Sequence, residues 1–355
     1  MRLQRLAAAV ATAALALALL PAPASAAPLV VPDPPREGGL AIPQAPTVSA
    51  ASWLVYDADA DLILGSSAAD EQRPMASTTK IMTVLVALRY GDLDDIVTVS
   101  QRAADVGEAE VGLVAGETLS MRTLLTSLVV RSANDSAMAV AEHLGGSVEG
   151  FVNMMNAEAE AMGLSDTHFE NPHGLDGENH YSSAADLLEM SLAAMSYPEF
   201  RVWATIIEND FPPAPDGTER SLGATNRLLE TYPGTIGVKT GFTGLAGLVF
   251  SAAATREDRT LFVVVMGSEG ERAHFADARV LLDWGFERFR SIALVRSGTY
   301  EPPEPVRVVE SGPAPEPDPE PVVETHVRRA DGEPPPLSEA WRWLARMTER
   351  ITDGG

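Results

Sequence analysis

Cysteine is absent from the 355 residues, which excludes disulfides, a thiol nucleophile, cysteine metal sites and a lipidated cysteine near the N-terminus. Lysine is almost absent: of 26 basic residues only Lys80 and Lys239 are Lys, and the other 24 are Arg. A chain that meets nearly every need for positive charge with Arg keeps Lys where Arg cannot serve. Arg stays protonated in essentially any protein site, whereas a Lys ammonium is compact and loses its proton readily when desolvated or crowded by another cation. Both lysines are therefore candidates for chemistry. Basic charge as a whole is also short, with 50 acidic residues and a formal net charge of −24, which argues against a nucleic-acid partner and against broad attraction to anionic lipid.

Long apolar runs are missing as well. The longest, Leu6 to Leu20, falls short of the ~20 residues a membrane helix needs. It follows Arg2 and Arg5 and precedes Pro21 and Ala24-Ser25-Ala26, the pattern of a cleavable signal peptide over 1–26. The mature protein is thus expected to be exported and to act in an extracellular, cell-wall or periplasmic setting. A Pro-rich tether over 27–46 follows, then a globular domain over 47–295, large enough to bury one large or two small cores. Eleven of the 26 prolines fall between Pro302 and Pro336 among Glu and Asp, so 296–336 reads as an extended acidic spacer.

Inside the domain, Ser52 to Tyr56, a turn through Asp57 to Asp61, and Leu62 to Leu64 predict a hairpin. The Asp57-Ala58-Asp59-Ala60-Asp61 run resembles the start of a calcium loop. However, Leu62 stands where the sharp-turn Gly belongs and Ala68 where the bidentate Glu belongs, so an acidic turn is the reading. A helix begins at Ser77 and runs through Ile81, Met82, Leu85 and Leu88 to Gly91. Ser77 and Lys80, three apart, then share one face within hydrogen-bonding reach; taken alone, an N-cap Ser and a surface Lys would be the better explanation. A second helix from Ser120 delivers Ser132-Ala133-Asn134, residue types that also serve as caps and turns. Thr235 to Thr243, Ala246 to Phe250 and Leu261 to Met266 read as three antiparallel strands whose leading edge carries Lys239. A closing helix over 274–290 packs on that sheet.

Ser77-Thr78-Thr79-Lys80, Ser132-Ala133-Asn134 and Lys239-Thr240-Gly241 are, in this order, the Ser-x-x-Lys, Ser-x-Asn and Lys-Thr-Gly elements of penicillin-binding proteins and serine β-lactamases. With Asn171-Pro172-His173-Gly174-Leu175-Asp176 and Phe242-Thr243 followed by Ala246-Gly247, the stretch from Ser52 to Phe289 resembles serine-type D-alanyl-D-alanine carboxypeptidases, the low-molecular-mass penicillin-binding proteins of peptidase family S11. The resemblance implies an α+β, β-lactamase/transpeptidase-like fold, an antiparallel sheet with packed helices and a helical cluster, with the site in the cleft between. It implies peptidoglycan stem peptides as substrate, β-lactams as covalent inhibitors, and no cofactor.

From the residue types, Ser77 is the expected nucleophile and Lys80, desolvated and facing Lys239, its base. Ser132 is expected to relay the proton to the leaving amine, Lys239 and Thr240 to hold the terminal carboxylate, and Asn134 to orient the substrate amide. By resemblance, the backbone N–H groups of Ser77 and Phe242 form the oxyanion hole, flanked by Gly241 and Thr243. A zinc peptidase is disfavoured, because no His-Glu-x-x-His pattern exists and His173 reads as a structural or cleft-wall residue. A serine β-lactamase is the nearest alternative, but Glu170-Asn171-Pro172 lacks the Glu-x-x-x-Asn arrangement of class A enzymes. A non-catalytic cell-wall binding protein is a third reading, against which the complete set of motif residues argues. The family's β-rich second domain does not fit the Pro-rich segment after residue 295. A short amphipathic helix over 337–355, with Trp341 and Trp343, leaves peripheral membrane contact open.

Overall fold

The computed structural model of the protein describes residues 29–30 and 43–297. The signal peptide, most of the tether, all but the first two residues of the acidic spacer, and the C-terminal helix expected from the sequence lie outside them. Among the described residues the main sheet has the order β1 (Leu29–Val30), β3 (Leu62–Ser67), β2 (Ser52–Asp57), β10 (Arg259–Ser268), β9 (Gly247–Arg256), β8 (Thr235–Thr243). Antiparallel pairing runs from β3 to β8, and β8 is an edge. The hairpin and the three late strands lie where the sequence predicts them.

Strand periodicity explains how the sheet serves two cores. On β10, Leu261, Val263 and Val265 face one cluster, while Phe262, Val264 and Met266 face the other. The same alternation separates Trp53 and Val55 from Leu54 and Tyr56 on β2. Apolar residues at every position from Leu261 to Met266 make β10 central and covered on both faces. The closing helix, α9 (Ala273–Ser297), covers the first face with Leu281, Leu282 and Trp284. It also reaches into the stretch read as tether, since Trp284 Nε1 donates to the Pro43 carbonyl at 3.0 Å.

The opposite face carries the helical cluster: α1 (Lys80–Tyr90), α2 (Gln101–Ala104), α3 (Met121–Val130), α4 (Asn134–Gly145), α5 (Val148–Met162), α6 (Ala184–Ser196) and α7 (Pro198–Ala204). Serine side chains cap four of these helices: Ser100, Ser120, Ser147 and Ser183 each accept from the N–H three residues on, satisfying donors that a helix start leaves unpaired. Gly146 and Gly163 end α4 and α5 in the left-handed conformation. Two small two-stranded antiparallel sheets, β4 (Ile96–Thr98) with β5 (Thr118–Ser120) and β6 (Glu208–Phe211) with β7 (Arg220–Gly223), flank the cluster. A short helix, α8 (Leu228–Thr231), precedes β8. The fold is α+β, as expected.

Candidate active site

Ser77 does not begin the α-helix and is not its cap. It lies in a short 3-10 turn, Ala76–Thr79, which runs directly into α1 at Lys80. The tighter turn eclipses residues three apart, and Lys80 Nζ lies 3.0 Å from Ser77 Oγ. Ser77 remains half-buried and open to solvent, whereas Lys80 is 1% exposed. Two further oxygens hold the amine: Asn134 Oδ1 at 2.8 Å and the His173 carbonyl at 2.5 Å. Burial first, and then the nearby Lys239 cation, push the Lys80 pKa well below 10.5, against the opposing pull of Asp135 and Glu108. A neutral amine has two N–H groups and one lone pair. The two carbonyl-type oxygens accept the N–H groups, which leaves the lone pair to Ser77 Oγ–H. The ammonium uses the same three contacts with one bond reversed, so the proton can cross without rearrangement.

Ser132 and Asn134 come from the joint between α3 and α4. Ser132 adopts φ +68°, and Asn134 is the first residue of α4. The positive φ is uncommon for Ser and costs about 1–3 kcal/mol, and it turns the chain so that both residues are buried at the cleft floor. The Ser132 hydroxyl takes no hydrogen-bond partner among the described residues. Asn134 is fully engaged: besides accepting from Lys80, its Nδ2 donates to the Gly107 carbonyl at 3.1 Å and its N–H to that of Ala109 at 2.6 Å. It therefore ties the loop after α2 to Lys80. Next to it, Asp135 accepts from the N–H groups of Val111 and Leu113 and fastens the same loop.

The other wall is β8. Lys239 is 2% exposed; its Nζ donates to the Thr240 carbonyl at 2.9 Å, and burial lowers its pKa to about 7. Thr240 Oγ1 bonds Thr225 Oγ1 at 2.7 Å. Gly241 permits the closest approach of the two walls, since a Cβ there would stand 2.9 Å from Ser77 N and 3.0 Å from Ala76 Cβ. Phe242 is exposed, and Thr243 Oγ1 donates to Asp176 Oδ1 at 2.6 Å. All nine residues expected from the sequence thus lie on the 3-10 turn and the first residue of α1, the α3–α4 joint or β8.

Sequence reasoning did not find Thr225, Asp176, Gly107 or the His173 carbonyl as partners of the site. The 171–176 loop had been singled out by its composition, but its geometry comes from an Asx turn. Asn171 Oδ1 accepts from the N–H groups of His173 and Gly174, and this turns the His173 carbonyl onto Lys80. His173 itself is buried, its Nδ1 accepts from Leu175 N–H, and burial lowers its pKa to about 3. It forms cleft wall. The Glu170 side chain is exposed and accepts from Asn179 Nδ2.

Comparisons with known proteins agree with this geometry. A D-alanyl-D-alanine carboxypeptidase from Bacillus subtilis is 33% identical over 254 residues, covering 70% of this chain and 64% of the relative. One from Mycobacterium tuberculosis is 36% identical over 259 residues, covering 70% of this chain and 85% of the relative. Among solved structures, the Streptomyces K15 DD-transpeptidase superposes with a TM-score of 0.65 at 31% identity, over 68% of this chain and 99% of that one. The chain spans less than two thirds of the Bacillus relative's length. The family model for D-alanyl-D-alanine carboxypeptidases, peptidase family S11, matches residues 40–270, which include the Ser77 turn, the α3–α4 joint and β8. With a Ser and a desolvated Lys in contact on one wall and a Lys-Thr-Gly strand on the other, the chain belongs to that family.

Proposed function

We propose that the protein is a serine D-Ala-D-Ala carboxypeptidase that removes the terminal D-Ala of peptidoglycan pentapeptides and is acylated by β-lactams. The observation that carries this reading is the three-point hold on Lys80, which leaves its lone pair for Ser77. Ser77 Oγ attacks the carbonyl carbon of the penultimate D-Ala while its proton passes to Lys80. The C–N bond then breaks, and the proton returns through Ser132 to the leaving D-Ala amine. Water, giving a proton to Lys80, attacks the Ser77 ester, and Lys80 returns that proton to Ser77 Oγ as the C–O bond breaks. Lys239 and Thr240 bind the terminal carboxylate, and the N–H groups of Ser77 and Phe242 hold the oxyanion, each such donor typically giving about 10²–10³ in rate. Asn134 acts mainly by holding Lys80, since both ends of its amide are occupied.

Export is supported by the charged, apolar and small-residue order of residues 1–26. No helix among the described residues is long and apolar enough to cross a membrane. Membrane contact through 337–355 rests on the amphipathic pattern alone.

The test is the intact mass of the mature protein after benzylpenicillin and, separately, D-Ala release from diacetyl-Lys-D-Ala-D-Ala. A lasting adduct on Ser77 with release of D-Ala is expected. Rapid penicillin turnover with the peptide untouched would move the reading to a β-lactamase, and inertness in both arms to a binding protein.

A further inference from the structure

The peptide joining Ala76 to Ser77 is held more firmly than a turn requires. Ala76, a non-glycine residue, has φ +48°. Its carbonyl accepts a hydrogen bond from Thr79 Oγ1 at 2.8 Å. Thr79 Oγ1 also lies 2.7 Å from His180 Nε2. The other ring nitrogen, Nδ1, accepts from the Glu170 N–H at 3.0 Å. A neutral imidazole that accepts at Nδ1 carries its proton on Nε2. The bonds therefore have one direction: Glu170 N–H to His180, His180 Nε2–H to Thr79, and Thr79 O–H to the Ala76 carbonyl. Thr79 and His180 are both buried, 0% and 3% exposed. Burial lowers the His180 pKa to about 4, and Glu170, His168, Asp176 and Lys80 are the titratable groups facing it. On the far side of the same peptide stands Gly174, where a Cβ would fall 2.0 Å from the Ala76 oxygen and 2.9 Å from Ser77 N.

A trans peptide is planar, with its C=O and N–H pointing in opposite directions. Fixing the Ala76 oxygen therefore fixes where the Ser77 N–H points. We propose that His180 and Thr79 are positioning residues that aim the Ser77 backbone N–H at the oxyanion of the acylation and deacylation transition states. The inference rests on the reading of Ser77 as nucleophile and of its N–H as an oxyanion donor. Neither side chain touches substrate. Their effect belongs to kcat and to acylation, because a ground-state carbonyl makes weaker use of the donor than the oxyanion does.

The experiment compares Thr79→Val, which keeps shape and removes the hydroxyl, with Thr79→Ser, which keeps the hydroxyl. It measures kcat and KM on diacetyl-Lys-D-Ala-D-Ala, the second-order acylation rate with benzylpenicillin, and inhibition by a peptide boronic acid whose tetrahedral adduct places an oxygen in the oxyanion hole. Thr79→Val is expected to lower kcat, acylation and boronate affinity together by about 10–100-fold, short of the ~10²–10³ of losing a donor outright. KM should stay within about threefold, and Thr79→Ser should recover most of the loss. Wild-type kcat in Thr79→Val, equal losses in Thr79→Val and Thr79→Ser, or a loss carried by KM would overturn the relay. Should Thr79→Val not fold, His180→Leu against His180→Gln makes the same comparison, since Gln offers one donor and one acceptor where Leu offers neither. Ser77→Ala separates the two readings. A penicilloyl adduct persisting in Ser77→Ala overturns the nucleophile assignment and the relay with it, whereas an unlabelled Ser77→Ala beside an unimpaired Thr79→Val overturns the relay alone.

Discussion

Lys80 combines two features that only an amine meets together: a pKa pushed well below 10.5 by burial and three oxygens within 3.0 Å. Lys80→Arg keeps charge but supplies no base and cannot fit a planar fork to three convergent oxygens. Penicillin acylation is expected to fall nearly as far in Lys80→Arg as in Lys80→Ala; near-wild-type acylation by the Arg variant would remove Lys80 as base. Lys239 makes a pH prediction. Its folded pKa, about 7, lies below the ordinary 10.5, so the unfolded chain binds more protons between those values and stability rises with pH across that window. Denaturant unfolding at pH 7 and pH 9.5 should show a larger gain for wild type than for Lys239→Met. On the proposed function substrate binding has the opposite sign, because an ammonium would hold the terminal carboxylate: KM for the free-acid peptide should climb above pH 7, and that of its C-terminal amide should not. The identity of both lysines was legible from their scarcity. Their burial was not, because 2% exposure of a Lys follows from packing between walls distant in sequence.

At the scale of elements, the site depends on how closely β8 approaches the turn before α1. Gly241→Ala places a Cβ 2.9 Å from Ser77 N, and the neighbours it meets are backbone and Ala76, neither of which can swing away. Separating strand from turn by a fraction of an ångström should cut acylation by up to about 10²-fold with little change in melting temperature. Quenched-flow labelling with a fluorescent penicillin, set beside a thermal melt, checks this. A melt that collapses in step with labelling would mean that Gly241 serves the fold instead. The strands β8, β9 and β10 and the helices α1 and α3 were readable because each pairs a clear period with a Gly or Ser boundary. The four helices from α4 to α7 were not read. Their Ser147 and Ser183 caps and their Gly146 and Gly163 stops are present in the sequence, but small and polar residues such as Ala, Ser, Asn and Asp dilute the apolar stripe. The 3-10 turn that carries Ser77 is not distinguishable from α-helix in the sequence, because the two share the same residue types over four positions.

For the molecule as a whole, one sheet separates two cores with different duties. The helical cluster holds Met75, Ala76, Ile81 and Val130 next to the site, while the far core contains Trp53, Phe250 and Trp284 beneath α9. Trp284→Ala empties a site that is 6% exposed and should cost about 3–5 kcal/mol, yet at temperatures well below its melt the variant should be acylated at the wild-type rate. Thermal unfolding and penicillin labelling at 15 °C would separate the two effects; loss of labelling in the folded variant would mean that the cores are coupled through the sheet. Residue identity and order alone determined the three motifs, the strand-rich second half and the absence of any thiol or disulfide chemistry, because those signals reside within a few neighbouring positions. The tertiary structure decided which oxygens hold the Lys80 amine. Lys80 meets Asn134 across 54 residues and the His173 carbonyl across 93, and Thr79 meets His180 across 101. Such pairings depend on how helices and loops pack, and a carbonyl oxygen, common to every residue, carries no mark in the sequence.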